Sequence, residues 1–304
     1  MPSFARPRPP WARQLQPGFW GWTAGVALLA APCVGVLAEY LADPVAVAQA
    51  RQEQWNASVK RSLEARGWLE IERGLPAAYA WRLQRDHDID LLEARRPFRL
   101  ALLHGDVTGQ PPPAEAARTA ARVVADELGR YPGGSLEASR LRRVLLCAGL
   151  AEAGTEIPSL PNVEQTLLLD VESDPAFLRR LIHHELFHFV DYADDDQVRR
   201  DPAWERLNDP DFVYGPGGRS QRAPGSARLT TERPGFLTEY ATSALEEDKA
   251  EVFSFLMTAP TTVRRIAKHD PVLQAKIAAV RAQLARQLPA LSASFWREVE
   301  VSER

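Results

Sequence analysis

The sequence predicts an α+β fold, mostly helical with a small sheet laid over one buried helix. Three observations predict it. Two β-rich runs, "RRVLLCAG" (142–149) and "EQTLLLDV" (164–171), are separated by a Gly/Pro-containing connection. A segment apolar on nearly every side follows, with Phe177, Leu178, Leu181, Ile182, Leu186, Phe189 and Val190, and a helix of that kind is buried. The C-terminal part then reads as helices broken at Pro271 and again near Pro289.

Composition sets the limits. The 304 residues are 45% hydrophobic and 25% charged, which is globular, and the net charge of −3 offers no nucleic-acid footprint. Arg6, Arg8 and Arg13 precede residues 19–38, a run without any charge. A run of that length can span a bilayer, and Val36-Leu37-Ala38 also resembles a signal cleavage site. The expectation is therefore a signal peptide or N-terminal membrane anchor over 1–41. Everything after it then lies outside the cytoplasm: periplasmic, secreted, or anchored and facing outward. The two cysteines, Cys33 and Cys147, imply no disulfide framework, and Cys147 sits in an apolar run that suits packing.

The elements of the second part, 42–304, follow in order. Residues 44–67 read as a polar helical stretch, whereas 68–110 gives no clear pattern. Prolines near 112 open a helix that Pro132 and two glycines close. Ser173-Asp174-Pro175 supplies an N-cap and a first-turn proline for the buried helix. Residues 209–235, rich in proline and glycine, form a long loop of the kind that is usually functional or disordered. Ser243-x-x-Glu246 reads as a capping box for a helix reaching about Thr258. The expected core spans about 131–260, with C-terminal helices over 261–304.

The buried helix carries "LIHHELFHFVDYA". Within it, His184, Glu185 and His188 form H-E-x-x-H, and residues four apart share one helix face, so both imidazoles can reach one metal ion. Glu185 lies roughly 60° beyond His188 and so flanks such an ion, placed to take a proton from an attacking water. The composition, with only 6 histidines, gives about 0.01 chance matches to this pattern, so coincidence explains it poorly. His183 points to another face and reads as structural.

A catalytic zinc site needs three protein ligands and one open position. Two sources of the third are open. One is local: Asp194, at the position where H-E-x-x-H-x-x-G-x-x-H places a ligand, although Asp191 replaces the turn glycine. Asp191 itself reads as a residue that orients an imidazole N–H. The other source is Glu247 with Glu251, four apart on a second helix; one would reach the metal and the other would hydrogen-bond a histidine. Glu246 and Asp248 read as a solvated acidic face.

"HELFHFVDY" followed by Tyr240, Glu247 and Glu251 resembles the zinc-binding metallopeptidases related to the catalytic domain of anthrax lethal factor, a gluzincin-like branch of the zincins. Asp248 to Glu251 matches that family's usual ending, and "WERLNDPDFVYG" (204–215) resembles its connecting loop, so the resemblance covers about 173–258. Lys249 departs from the aromatic or aliphatic residue usual at its position. The resemblance implies a zincin-like fold, one zinc ion on His184, His188 and Glu247, catalysis by Glu185, and Tyr240 facing the reacting carbonyl. It implies hydrolysis of a peptide or protein substrate. A zinc-binding scaffold without catalysis and a hydrolase of a non-peptide amide are the alternatives. On topology, a C-terminal fusion to a reporter active only outside the cytoplasm is expected to give signal. Activity of a cytoplasm-only reporter in its place would reverse the assignment.

Overall fold

Strand β5 (Arg143–Glu152) organises the sheet, and its sequence shows how. Its first six residues are buried, as suits a parallel strand covered on both faces. The computed structural model describes residues 61–70, 75–102, 105–195, 200–220 and 225–301, and within these Ser62–Arg304 form one compact unit. The 19–38 run lies outside the described residues. Among the described residues no helix is long and apolar enough to cross a membrane.

β5 pairs in parallel with β2 (Asp90–Ala94) on one side and β8 (Thr166–Asp170) on the other. At Gly149, where φ is +57°, it changes partners and runs antiparallel to β4 (Gly105–Gln110) and the short β6 (Thr155–Glu156). β1 (Trp68–Glu70) pairs antiparallel with β2, β3 (Phe98–Leu102) with β4, and β7 (Ser159–Val163) with β8. The fold is α+β, and the sheet is larger than its two apolar runs suggested: eight mixed strands among the described residues. Half of them come from 68–110, where short strands interrupted by charge and glycine leave little periodicity. The thiol of Cys147 is buried against Leu169 O, and burial pushes its pKa up, which fits packing.

Helices α1 (Leu75–His87) and α2 (Ala114–Leu128) pack on each other, and α2 also packs on α3 (Pro175–Asp195). Asp174 caps α3, its Oδ1 accepting from Ala176 N at 2.9 Å and Phe177 N at 3.1 Å. After the short α4 (Pro202–Glu205) and the long loop comes α5 (Leu245–Thr258), whose contact with α3 is the most extensive between helices. α6 (Pro260–Ala267), α7 (Pro271–Gln287) and α8 (Ala293–Val301) complete the chain, with the break at Pro271 where the sequence placed it.

Two expectations need correction. Ser243 does not cap α5: it ends a 3-10 turn over Tyr240–Thr242 with helical φ and ψ, and the extended residue before the helix is Ala244. Asp248 is not solvated but wholly buried. Its Oδ2 accepts from Lys276 Nζ on α7 at 2.7 Å, Trp204 Nε1 at 2.9 Å and Tyr214 Oη at 2.6 Å. Its neighbour Lys249 is buried too, paired with Asp191 at 3.1 Å and Asp201 at 2.9 Å. A helix face enclosed by α3, α7 and the 201–214 segment keeps charge only by pairing it.

The outer side of α3 is pinned through His183, which is buried as a structural residue. Tyr131 Oη donates to its Nδ1 at 2.7 Å, and its Nε2 donates to Glu127 on α2 at 3.0 Å. Glu127 also accepts from Arg179 at 2.6 Å and Arg130 at 2.9 Å. Burial raises the Glu127 carboxyl, but the hydrogen bond from His183 and the charge of Arg130 hold it down to about 2. A depressed carboxyl stabilises the fold above its ordinary range, and that contribution is lost as pH falls through about 2. Glu127→Ala is expected to cost about 1–3 kcal/mol by leaving His183 Nε2 unpaired. Thermal unfolding should show a drop of about 2–4 °C per kcal/mol, and the gap between variant and wild type should narrow in acid. Equal melting temperatures at neutral pH would show that this pin carries no stability.

Candidate metal centre

His184 and His188 stand one turn apart on α3, and Glu247 meets them from the first turn of α5. His184 Nε2 lies 3.0 Å from Glu247 Oε2 and 3.1 Å from His188 Nε2, while His188 Nε2 lies 3.3 Å from the same carboxylate oxygen. Three donor atoms thus form a triangle with sides of 3.0–3.3 Å. Zinc bonds of roughly 2.0–2.1 Å in a tetrahedron put neighbouring ligand atoms about 3.3 Å apart. The residues fit an ion of that size.

Their surroundings fix the chemistry of each atom. His184 Nδ1 donates to Glu251 Oε1 at 2.9 Å, so Nε2, turned toward His188 and Glu247, is the nitrogen that would present a lone pair to a metal. Glu251 Oε2 accepts from Thr238 Oγ1 at 2.8 Å, and its Oε1 accepts from Arg180 Nη1 at 2.5 Å. Burial works against charge on His184, yet Glu247 and Glu251 together lift its pKa to about 10, and Glu247 lifts that of His188. Burial likewise raises Glu247, but the two imidazoles overcome it and hold the carboxyl well below its usual range. The site is built to favour positive charge.

Glu185 sits beside the triangle on α3. Its Oε1 accepts from Ser159 Oγ on β7 at 2.5 Å, and its Oε2 is buried with no hydrogen-bond partner among the described residues. A buried carboxylate oxygen is costly without a partner, so this atom awaits a proton donor from a ligand or water. Tyr240 lies with its ring centroid 6.0 Å from that of His184. Burial and the carboxylates Glu247 and Glu185 push its phenol well above its ordinary pKa, so it stays a donor. Gly218, in the long loop, packs so closely that a Cβ there would collide with Glu247 Oε1 and Tyr240 Oη.

The predicted site residues Glu185, Tyr240, His184, His188, Glu247 and Glu251 are brought together. Asp191 is not among them and is a correction: its Oδ1 accepts from Lys249 Nζ at 3.1 Å and Gln283 Nε2 at 2.7 Å, and no imidazole N–H reaches it among the described residues. The buried Lys249 captures that carboxylate. The side chain of Asp194 lies outside the described ones. Sequence reasoning missed Ser159, Arg180, Thr238 and Gly218. Arg180 alone carried a signal, standing one turn before His184 on the same face; the others arrive from separate segments.

No protein-family model and no curated protein matches the chain. Among solved structures, a provisionally named zinc-binding metallo-peptidase from Bacteroides caccae superposes with a TM-score of 0.48 at 15% identity, over 77% of this chain and 94% of that one. What the site can do follows from its own atoms.

Glu247→Ala is expected to lose most bound zinc by elemental analysis, whereas Asp194→Ala should keep it; the reverse would move the third ligand to the local pattern. With its pKa lifted to about 10, His184 holds a proton near neutral pH until a metal displaces it. Zinc affinity should therefore rise with pH, by about tenfold per unit for each proton displaced, and calorimetry in buffers of different ionisation enthalpy should register the protons released. A pH-independent affinity between 6 and 8 would contradict this electrostatic account.

Proposed function

We propose that this chain is a zinc-dependent peptidase working outside the cytoplasm. One observation carries the reading. His184, His188 and Glu247 converge on a single point, and beside them Glu185 keeps one buried carboxylate oxygen without a partner among the described residues. Holding a metal needs only the first three. A proton acceptor beside them is what hydrolysis adds.

A bound zinc ion supplies Lewis acidity, lowering the pKa of water toward about 7 and polarising the scissile carbonyl. The chain's own groups do the rest. Glu185 takes a proton from the attacking water on Oε2 and later delivers it to the leaving amine, while Ser159 restrains Oε1. The Tyr240 phenol donates to the carbonyl oxygen as negative charge develops there. Glu251 keeps His184 in the tautomer that presents Nε2, and Thr238 and Arg180 keep Glu251 in place.

A peptide fits better than a compact amide because of β7. Among the described residues β7 pairs only with β8, and through Ser159 it touches Glu185. An extended chain added along its free edge would pass the reacting groups. The basic N-terminus followed by the uncharged 19–38 run supports placement outside the cytoplasm. A metal-holding scaffold is the second reading; it leaves the free oxygen of Glu185 without a purpose.

Glu185→Gln separates them. It keeps size and all three ligands, so zinc content should stay near one per chain while peptide hydrolysis falls by about 10²–10⁴-fold. Tyr240→Phe should also retain zinc and lose about 10²–10³ in rate. Undiminished turnover in Glu185→Gln would end the mechanism, and a zinc-loaded wild type inert toward a broad peptide library would favour the scaffold.

A further inference from the structure

Residues 215–219 read Gly-Pro-Gly-Gly-Arg, and each of the three glycines answers a different physical demand. At Gly217 the demand is conformational: its φ of +121° lies where L residues rarely go. Gly215 is a close approach to backbone, because a Cβ there would stand 3.2 Å from Ser243 O and 3.3 Å from Ser243 Cα. Gly218 differs from both. Its φ is not positive and it opens the 3-10 turn Gly218–Ser220, so the backbone itself admits an L side chain. Only the space beside it is forbidden.

That space is filled by the candidate metal centre. A Cβ on Gly218 would collide with Glu247 Oε1 and Tyr240 Oη and would stand 2.9 Å from Glu247 Cδ. One atom would touch both oxygens, so they lie close together against the glycine. The other oxygen of the same carboxylate, Oε2, is 3.0 Å from His184 Nε2 and 3.3 Å from His188 Nε2. Glu247 is therefore seated at both ends: Oε2 on the histidines, Oε1 on a strap of bare backbone.

The strap is tied to the turn that carries Tyr240. Gly215 N donates to Thr242 O at 3.0 Å and Gly217 N to Ser243 O at 2.9 Å, while Ser243 N donates to Tyr240 O at 3.0 Å. Just beyond, Arg219 pairs with the buried Glu152 of β5. Lifting 215–219 away from Glu247 would break both backbone bonds, so an added methyl displaces the carboxylate and the phenol in preference. A carboxylate can bind an ion through one oxygen or two, and a Glu side chain has rotamers to explore. We infer that Gly218 is a positioning residue for the third ligand: its backbone fixes Glu247 so that Oε2 alone meets the histidines, and it keeps the Tyr240 phenol alongside. The inference rests on the metal-centre reading, and its test measures metal binding, which needs no hydrolysis.

Zinc affinity is to be measured by competition with a chromophoric chelator for the full chain, Gly218→Ala, Tyr240→Phe and the double variant. Gly218→Ala should bind zinc about 10–100-fold more weakly, the usual loss when a group that orients a ligand is disturbed. The visible spectrum of its cobalt(II) form should shift as well, because the carboxylate has turned. Removing the phenol oxygen opens room into which Glu247 Oε1 can move. The same substitution made in Tyr240→Phe should therefore cost at most about threefold, a coupling that a general loss of stability would not produce. Equal losses in the two backgrounds, or an unchanged affinity with an unchanged cobalt spectrum, would each overturn the inference. Should Gly218→Ala fail to fold, Arg219→Ala carries the test, since it loosens the strap without adding an atom. A chelator should then strip zinc about two- to fivefold faster, the range for an ion pair half open to water, and an unchanged rate would overturn the inference. A wild type that binds no zinc would remove the metal reading and this role with it. A wild type that binds zinc and shows the coupling between positions 218 and 240, yet cleaves no peptide, would support the role and remove the peptidase reading.

Discussion

The structure turns on the crossing of α3 and α5, where His184 is enclosed with a carboxylate at each ring nitrogen. Nδ1 faces Glu251 and Nε2 faces Glu247, at 2.9 and 3.0 Å. An imidazole buried among carboxylates is tolerable only if every polar atom has a partner at hydrogen-bond distance. That demand fixes both the separation of the helices and their register. Glu247 and Glu251 are four apart on α5, so they stand on one face and straddle a single histidine of α3.

Around this crossing, other buried pairs act as braces. His183 with Glu127 ties the outer face of α3 to α2, Asp248 with Lys276 ties α5 to α7, and Lys249 with Asp191 ties α5 back to α3. Replacing such a pair with apolar residues is often neutral or stabilising, whereas breaking one partner is costly. Their value here is geometric. Each specifies one angle of approach, and together they leave the α3–α5 crossing little freedom to place Glu247 elsewhere than at the two histidines.

Much of this was legible in the chain, and the unread parts have physical reasons. H-E-x-x-H is a local statement: helical geometry alone puts His184 and His188 together and Glu185 to their side. The cap at Asp174 and the break at Pro271 are local in the same sense. Glu247 lies 59 residues from His188 in sequence, so periodicity could propose a shared face with Glu251 but not the helix it would meet. Asp248 was misread because an acidic run looks solvated until its partners are known, and Lys276 is 28 positions away. Asp191 was misplaced for the converse reason: proximity on one helix suggested an imidazole partner, while the buried Lys249 exerted the stronger pull. Strands β1 to β4 were lost because pairing makes them strands and not their own pattern: β2 and β4 pair with β5, β1 with β2, and β3 with β4.

The charge balance at the crossing explains why this arrangement suits a divalent cation better than protons. Glu185, Glu247 and Glu251 bring three carboxylates, Arg180 answers one of them, and the phenol and the imidazoles, when unprotonated, answer none. Two negative charges are left among these mostly buried groups. Protonating both histidines neutralises them, but it places two imidazolium rings with nitrogens 3.1 Å apart, which repel. A single dication between the same atoms removes that repulsion and uses the lone pairs directly. Ion binding would then relieve electrostatic stress as well as supply reactivity, and because the stress sits at the crossing that fixes the fold, occupancy and global stability are linked through the same residues.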